Sequence, residues 1–446
     1  MQGRAAGSTG HDRAVRYLVD QAKRIGVLPA GENGGYLQRV PEVSLVVDTL
    51  TEFRTDTEKF VLGVDYRPFV GGRGQPRPID GAQTIYGGVY GDTATQIDRA
   101  AAAGRVVVLS TPPGLTAALA FRWIIYPSDS RLGAAAAVAI ESLDLFTVSQ
   151  RGPFSRTALD DPTATRAEAR PTTVQITSRA AAALLGAAPS ALKPGTLGRT
   201  VRGRFVFAEI PRPSSNVIAM LPGHGPRRGQ IVALTAHSDH LEVGLPESGD
   251  SIRNGADDNA SGTVALLAIA KALRPLRLDH SVLFAWITSE ESGILGSRWF
   301  VSHPTVPLDS LIAVFNLDMV GRGEGPSWRK NPPNLVRAII GGPPAHPYAT
   351  IVRANAHGRS PVTLDTADVD GVWCSSDQAS FLGLGVPVVF FTTDKHADWH
   401  RVTDETARID FDRLRRVAEL VANVVRSFEP RPGRAGVAAP RAQRSC

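Results

Sequence analysis

Cysteine is almost missing from this 446-residue sequence, with Cys374 and Cys446 the only two. Two thiols cannot build a disulfide framework, so the chain has to rest on ordinary hydrophobic cores. Long apolar runs are missing too. No stretch approaches the length of a membrane span, and nothing after Met1-Gln-Gly-Arg-Ala-Ala-Gly has the apolar centre of a signal peptide. Concentrated positive charge is also lacking. The formal charge is +6, yet the basic residues are scattered and several fall after Glu429. No stripe of Lys and Arg argues for a nucleic-acid partner.

What the sequence does contain is ordinary for a globular protein: 43% hydrophobic and 21% charged residues. At this length, two domains are the expectation. Gly (43) and Pro (32) are plentiful, which predicts many loops. Residues 9–26 have Val15, Leu18, Val19, Ala22 and Ile25 at helical spacing, with Thr9 or Ser8 able to cap the start and Gly26 suited to the end. From about Tyr66 to Arg199 short β-rich runs, such as Ile85–Tyr90, Arg105–Leu109 and Thr173–Thr177, alternate with Ala-rich pieces. Ala134–Glu141 fits either a helix or a buried strand. This block holds no cluster of His, Cys or carboxylates with ligand spacing, which makes it a non-catalytic insertion.

After Val201 the pattern changes to α/β. Apolar runs predict strands over Ser215–Leu221, Ile231–Ala236, Ser281–Thr288, Leu311–Leu317 and Val386–Phe391, with helices Ser261–Leu273, Leu295–Ser302 and His346–Ala356 between them. A last helix, Asp410–Phe428, puts Phe411, Leu414, Val417, Leu420, Val421, Val424, Val425 and Phe428 on one face. Alternating strands and helices predict a mostly parallel mixed sheet covered by helices. In such sheets ligands bind beyond the carboxyl ends of the strands.

The chemistry-bearing residues fall at those ends. His237 follows Ile231–Ala236, and Asp239 stands two residues on. A lone His at a strand end is most often structural, but a nearby carboxylate is what a metal-bound imidazole needs on its other nitrogen. Asp257 and Asp258 are adjacent and precede a helix. One carboxylate suffices to cap a helix, and two side by side repel without a cation. Glu290 and Glu291 repeat the pattern after an apolar strand, where paired acids are costly without a metal or a proton. Asp318 ends Ile312–Leu317, and His396-Ala-Asp-Trp-His400-Arg-Val-Thr-Asp404 follows the last strand. Two histidines and three carboxylates at five strand ends suit a pair of ions about 3.5 Å apart. Oxygen and imidazole donors without thiolate fit zinc, with manganese or cobalt as other candidates. One acid is left over for a general base.

The order His-x-Asp, Gly-Ala-Asp-Asp-Asn-Ala-Ser-Gly, Glu-Glu-x-Gly-x-x-Gly-Ser, Asn-x-Asp-Met-x-Gly, Ser-Asp-x-x-x-Phe and His-x-x-x-Asp resembles the di-zinc exopeptidases. That family includes bacterial leucyl aminopeptidases, glutamate carboxypeptidase and the transferrin receptor. The resemblance covers about Phe205 to Phe428 plus the opening helix region. It implies a zinc peptidase domain over 1–64 and 201–430, a β-rich protease-associated-like domain inserted at 65–200, and a disordered basic tail over 431–446. It further implies that His237 and Asp318 bind one Zn2+, Glu291 and His400 a second, and Asp258 bridges them. Asp239 would orient His237, Glu290 would be the general base, and the Asp258–Asn259 peptide would be cis.

One position departs from the family. Many relatives have Tyr before the last His, and here Trp399 offers only an indole N–H as oxyanion support. The implied activity is removal of N-terminal residues from peptides, in a periplasmic or secreted protein whose abrupt start suggests a leader upstream. Two alternatives stay open. A carboxypeptidase or dipeptidase would need an Arg cluster, for which Arg322, Arg329 and Arg401 are candidates. A receptor-like scaffold would have lost the chemistry.

Overall fold

The computed structural model describes residues 3–428, apart from 70–75, 77, 117–129, 148–150, 152–154, 162–170, 245, 326–329, 333, 342–345, 367–374 and 383. Cys374, Cys446, Arg329 and the basic tail lie outside the described residues. The chain divides into two units, one made of Met1–Glu42 and Arg212–Cys446, the other of Val43–Pro211. The sequence alone put the boundaries at residues 65 and 200. The second unit extends past both because Val43–Val47 pairs with Phe207–Pro211, and Glu52–Thr55 with Val201–Arg204.

In the first unit a nine-stranded sheet runs in the order Leu28–Pro29, Ser214–Leu221, Ser281–Ile287, Ile231–His237, Leu311–Leu317, Val388–Thr392, Leu335–Gly341 and Thr363–Asp365, with Leu37–Val40 also paired to Ser214–Leu221. Its centre is parallel, since Ile231–His237 pairs in parallel with the strands on both sides and Leu311–Leu317 pairs in parallel with Val388–Thr392. Ser214–Leu221 and Leu335–Gly341 join antiparallel on either flank. The fold is therefore a mixed α/β sheet with a parallel centre, and not the mostly parallel one expected, since its pairings among the described strands divide equally, four parallel and four antiparallel. The central register aligns His237 with Ile287 and Leu317 with Phe391, bringing the carboxyl ends of these strands to one edge.

Alternate strand residues feed two cores. Val232, Leu234, Ala236, Phe284, Trp286, Phe315 and Phe391 pack with helices Thr9–Ile25, Gly262–Leu273 and Phe411–Arg426. Ala233, Leu283, Ala285, Ile287 and Val314 turn the other way, towards Phe300 and Phe381. Both faces are apolar, as a sheet covered on both sides requires. Ser8 caps the first helix by accepting the His11 amide, and Gly26 ends it in the left-handed region at φ 83°. Asp410 caps the last helix through the Arg413 amide. Phe428 is buried in the core, whereas Phe411 is 62% exposed. Phe411 is the first residue of that helix, where its side chain has no preceding turn to lie against.

The second unit carries a seven-stranded sheet and a three-stranded one. Ala137–Glu141 is a buried strand, parallel to Val106–Ser110 and Thr172–Ile176. Among the described residues no helix is long and apolar enough to cross a membrane.

Candidate metal centre

The functional side chains sit at the ends of central strands or in the loops beyond them. His237 is the last residue of Ile231–His237 and is fully buried. Asp318 directly follows Leu311–Leu317. Glu290 and Glu291 follow Ser289, which turns the chain at φ 59° beyond Ser281–Ile287. Asp258 lies in the segment Ala256–Ser261 before the helix Gly262–Leu273, and its peptide to Asn259 is cis. His400 lies past Val388–Thr392, itself at φ 62°.

These ends meet. His237 Nε2 is 3.3 Å from Asp258 Oδ1 and 3.3 Å from Asp318 Oδ1. His400 Nε2 is 3.1 Å from Asp258 Oδ2 and 3.0 Å from Glu291 Oε2. The two oxygens of Asp258 thus face different histidines, each accompanied by one further carboxylate. Glu290 is in neither set, and its Oε2 is 3.9 Å from His237 Nε2. Around a tetrahedral zinc with bonds of 2.0–2.1 Å, donor atoms stand about 3.3 Å apart. The observed spacings of 3.0–3.3 Å fit a divalent ion in each set.

The electrostatics also fit a cation site. Burial alone would lower His400, but Glu291 and Asp258 outweigh it and bring it up to about 10. Burial would lower His237 as well, and Asp318, Asp239 and Asp258 hold it well above its usual range. Glu291, raised by burial and by Asp258, is nevertheless drawn down to about 2 by His400 and His240. Glu290 behaves oppositely. Burial pushes it well above the carboxylate range, and Glu291, Asp318 and Asp377 add to this against His237. An acid raised in this way is suited to exchanging a proton.

Asp239 sits between these groups. Its Oδ1 and Oδ2 accept the backbone amides of Glu290 and Glu291 at 3.1 and 3.3 Å. His237 Nδ1 lies 3.2 Å from the Asp239 carbonyl oxygen and 3.7 Å from its carboxylate. Trp399 stacks on His400 with ring centroids 3.8 Å apart, while Lys395 Nζ sits 3.4 Å above the indole. Arg322 is buried and held by Glu324 at 2.7 Å and Asp398 at 2.9 Å, so its charge is already taken up. Arg401, mostly exposed, pairs with Glu247 at 3.3 Å.

Three contributors were not assigned from sequence. Asp404 accepts the amides of Asp257 and Asp258 at 3.1 Å, fixing the loop that carries Asp258. Arg4 is buried and donates to the carbonyls of Ser238 at 3.1 Å, Gly255 at 2.9 Å, Asp258 at 3.3 Å and also Asn254. His240 Nδ1 is 2.7 Å from Glu291 Oε1. Asp404 closes the His-x-x-x-Asp motif, His240 directly follows His-x-Asp and Arg4 precedes the opening helix, but nothing local says what they touch.

Residues 216–425, a little under half of the chain, match the model of Peptidase family M28. A leucine aminopeptidase 2 from Trichophyton equinum is 37% identical over 111 residues, 25% of this chain and 20% of that protein. Aminopeptidase Y of Saccharomyces cerevisiae is 27% identical over 232 residues, 46% of this chain and 38% of that protein. The chain therefore spans well under half the length of these curated relatives. Among solved structures, an aminopeptidase from Aneurinibacillus sp. has a TM-score of 0.59 at 20% identity, covering 98% of this chain and 93% of its own. A zinc aminopeptidase from Bacillus subtilis reaches 0.57 at 18%, with the same coverage. At such identities the likeness is one of fold.

Proposed function

We propose that this chain, matched by the model of Peptidase family M28, is a zinc-dependent aminopeptidase that uses two ions. The observation that carries the reading is the division of Asp258, with Oδ1 towards His237 and Oδ2 towards His400. His237, Asp258 and Asp318 would hold one ion, and His400, Asp258 and Glu291 the other. Bound there, such ions polarise a carbonyl and acidify a water. Glu290 takes a proton from the attacking water and passes it to the leaving amine. Asp239 keeps Glu290 in place through the backbone, and acidic groups around the site receive the free substrate N-terminus. Of the arginines a carboxypeptidase could use, Arg322 is already paired with Glu324 and Asp398.

The same reading takes Val43–Pro211 as a protease-associated-like domain that supplies no metal ligand, and the protein as periplasmic or secreted. The test is hydrolysis of aminoacyl anilides by the zinc-loaded protein. Free-amine substrates are expected to be cleaved and N-acetylated ones spared, with chelation abolishing cleavage and zinc restoring it. Equal cleavage of blocked substrates, or full activity after exhaustive chelation, would overturn the proposal.

A further inference from the structure

His240 stands apart from the roles described above. Its side chain is fully buried, and its Nδ1 approaches Glu291 Oε1 at 2.7 Å. That approach lacks hydrogen-bond direction, and neither ring nitrogen of His240, nor Glu291 Oε1, makes a hydrogen bond among the described residues. A buried imidazole with no directed hydrogen bond on either nitrogen is costly and calls for a ligand. The ring cannot turn away to find another partner. A Cβ on Gly255, which adopts φ 56°, would lie 2.5 Å from His240 Cγ and Cδ2, so the backbone there closes directly on the ring. From the amide side, His240 N donates to the Arg4 carbonyl at 3.1 Å.

The surroundings indicate which ligand. Donor atoms of His240, Asp258 and Glu291 all lie within 4.8 Å of one another. His400 reaches the same two carboxylates, and the two imidazoles stand edge to face with centroids 5.7 Å apart. Glu291 is thus addressed on Oε1 by His240 and on Oε2 by His400.

We infer that His240 is a fourth protein ligand of the second metal position, alongside Asp258, Glu291 and His400. This rests on the two-ion reading above and makes the pair unequal. Four protein donors close a site and hold its ion for structure, whereas three leave a coordination place open. The open place then belongs to the position of His237, Asp258 and Asp318, the one beside Glu290. The second ion binds tightly, and the exchangeable chemistry lies at the first.

The experiment is metal titration of the full chain, followed by cobalt absorption and zinc calorimetry, for wild type, His240→Ala and His240→Asn. Asn keeps an N–H near the place of Nδ1, so it can still hold Glu291 but replaces imidazole poorly as a ligand. Wild type is expected to bind two ions of unequal affinity, the tighter one giving intense four-coordinate cobalt bands. Both variants are expected to weaken the tight ion by more than about 100-fold, beyond the 10–100-fold typical of groups that only support a ligand, and to lose those bands.

Rescue of affinity and spectrum by Asn would make His240 a positioning residue for Glu291 and overturn the inference. So would an unchanged tight ion in His240→Ala. Either result leaves the peptidase reading standing, because that reading depends on the wild type. A wild type that binds no metal overturns both. Should His240→Ala fail to fold, His240→Asn decides alone: retention of the tight ion and its bands overturns the inference, and their loss supports it.

Discussion

Asp239 Oδ1 accepts the backbone amide of Glu290 at 3.1 Å, across 51 residues of chain. With the Glu291 amide on Oδ2 at 3.3 Å, one buried carboxylate holds a turn whose two side chains have different environments. Asn at this position can accept only one of the two amides and leaves the other facing an NH2 group. Asp239→Asn is expected to cost about 1–3 kcal/mol for the unpaired amide and to reduce kcat by about 10–100-fold through the displaced turn. Thermal melting and initial rates check this, and an unchanged melting temperature with unchanged rate would show that the turn holds itself.

Glu290 and Glu291 look interchangeable in sequence but not in space. Glu291 touches His400 and His240, and Glu290 stands apart from both donor sets. Glu290→Gln is expected to keep its zinc, fold normally and still bind a substrate-like inhibitor, while losing about 10²–10⁴-fold in rate with its proton acceptor gone. Glu291→Gln is expected to lose metal as well as rate. Metal analysis beside initial rates separates the two, and zinc loss in Glu290→Gln with retention in Glu291→Gln would exchange the roles.

Glu42 offers a test that does not depend on catalysis. It is buried, with Ser214 Oγ donating to Oε2 at 2.7 Å and Oε1 without a hydrogen bond among the described residues. Burial raises it from 4.5 to about 7, against the pull of Ser289 and Ser214. A carboxyl raised on folding favours the native state while protonated. Its contribution is therefore complete below pH 4.5 and is lost as pH rises through about 7. The amount at stake is about 3 kcal/mol. Glu42→Gln cannot ionise, so its stability relative to wild type is expected to rise between pH 5 and pH 8. Denaturant midpoints at both pH values measure the difference, and a constant offset would mean that Glu42 does not titrate in this range.

Much of this centre was legible in the sequence because strand ends are local features. An apolar run such as Ile231–Ala236 or Ile312–Leu317 announces a buried strand, and the first acid or histidine past it has to stand at the edge of the sheet. His237, Glu290 and Asp318 carry that mark, with Glu291 next to Glu290, whereas Asp258 and His400 lie further along their loops and stand out by the Asp257-Asp258 pair and the His396–Asp404 run. His240, Arg4 and Asp404 do not. Their meaning comes from contacts with Glu291, with the Gly255 and Asp258 carbonyls, and with the Asp257 and Asp258 amides, made across as many as 254 residues.

By itself, then, the sequence determined which side chains reach the edge and which chemistry they carry, since apolar periodicity and residue type are properties of short segments. Only the tertiary structure decided which of them face one another. Ile231–His237 lies between Ser281–Ile287 and Leu311–Leu317, an order that differs from that of the chain. Which oxygen of Asp258 meets which histidine follows from that lateral order, and it is set by hydrogen bonding and packing between distant strands that no local pattern encodes.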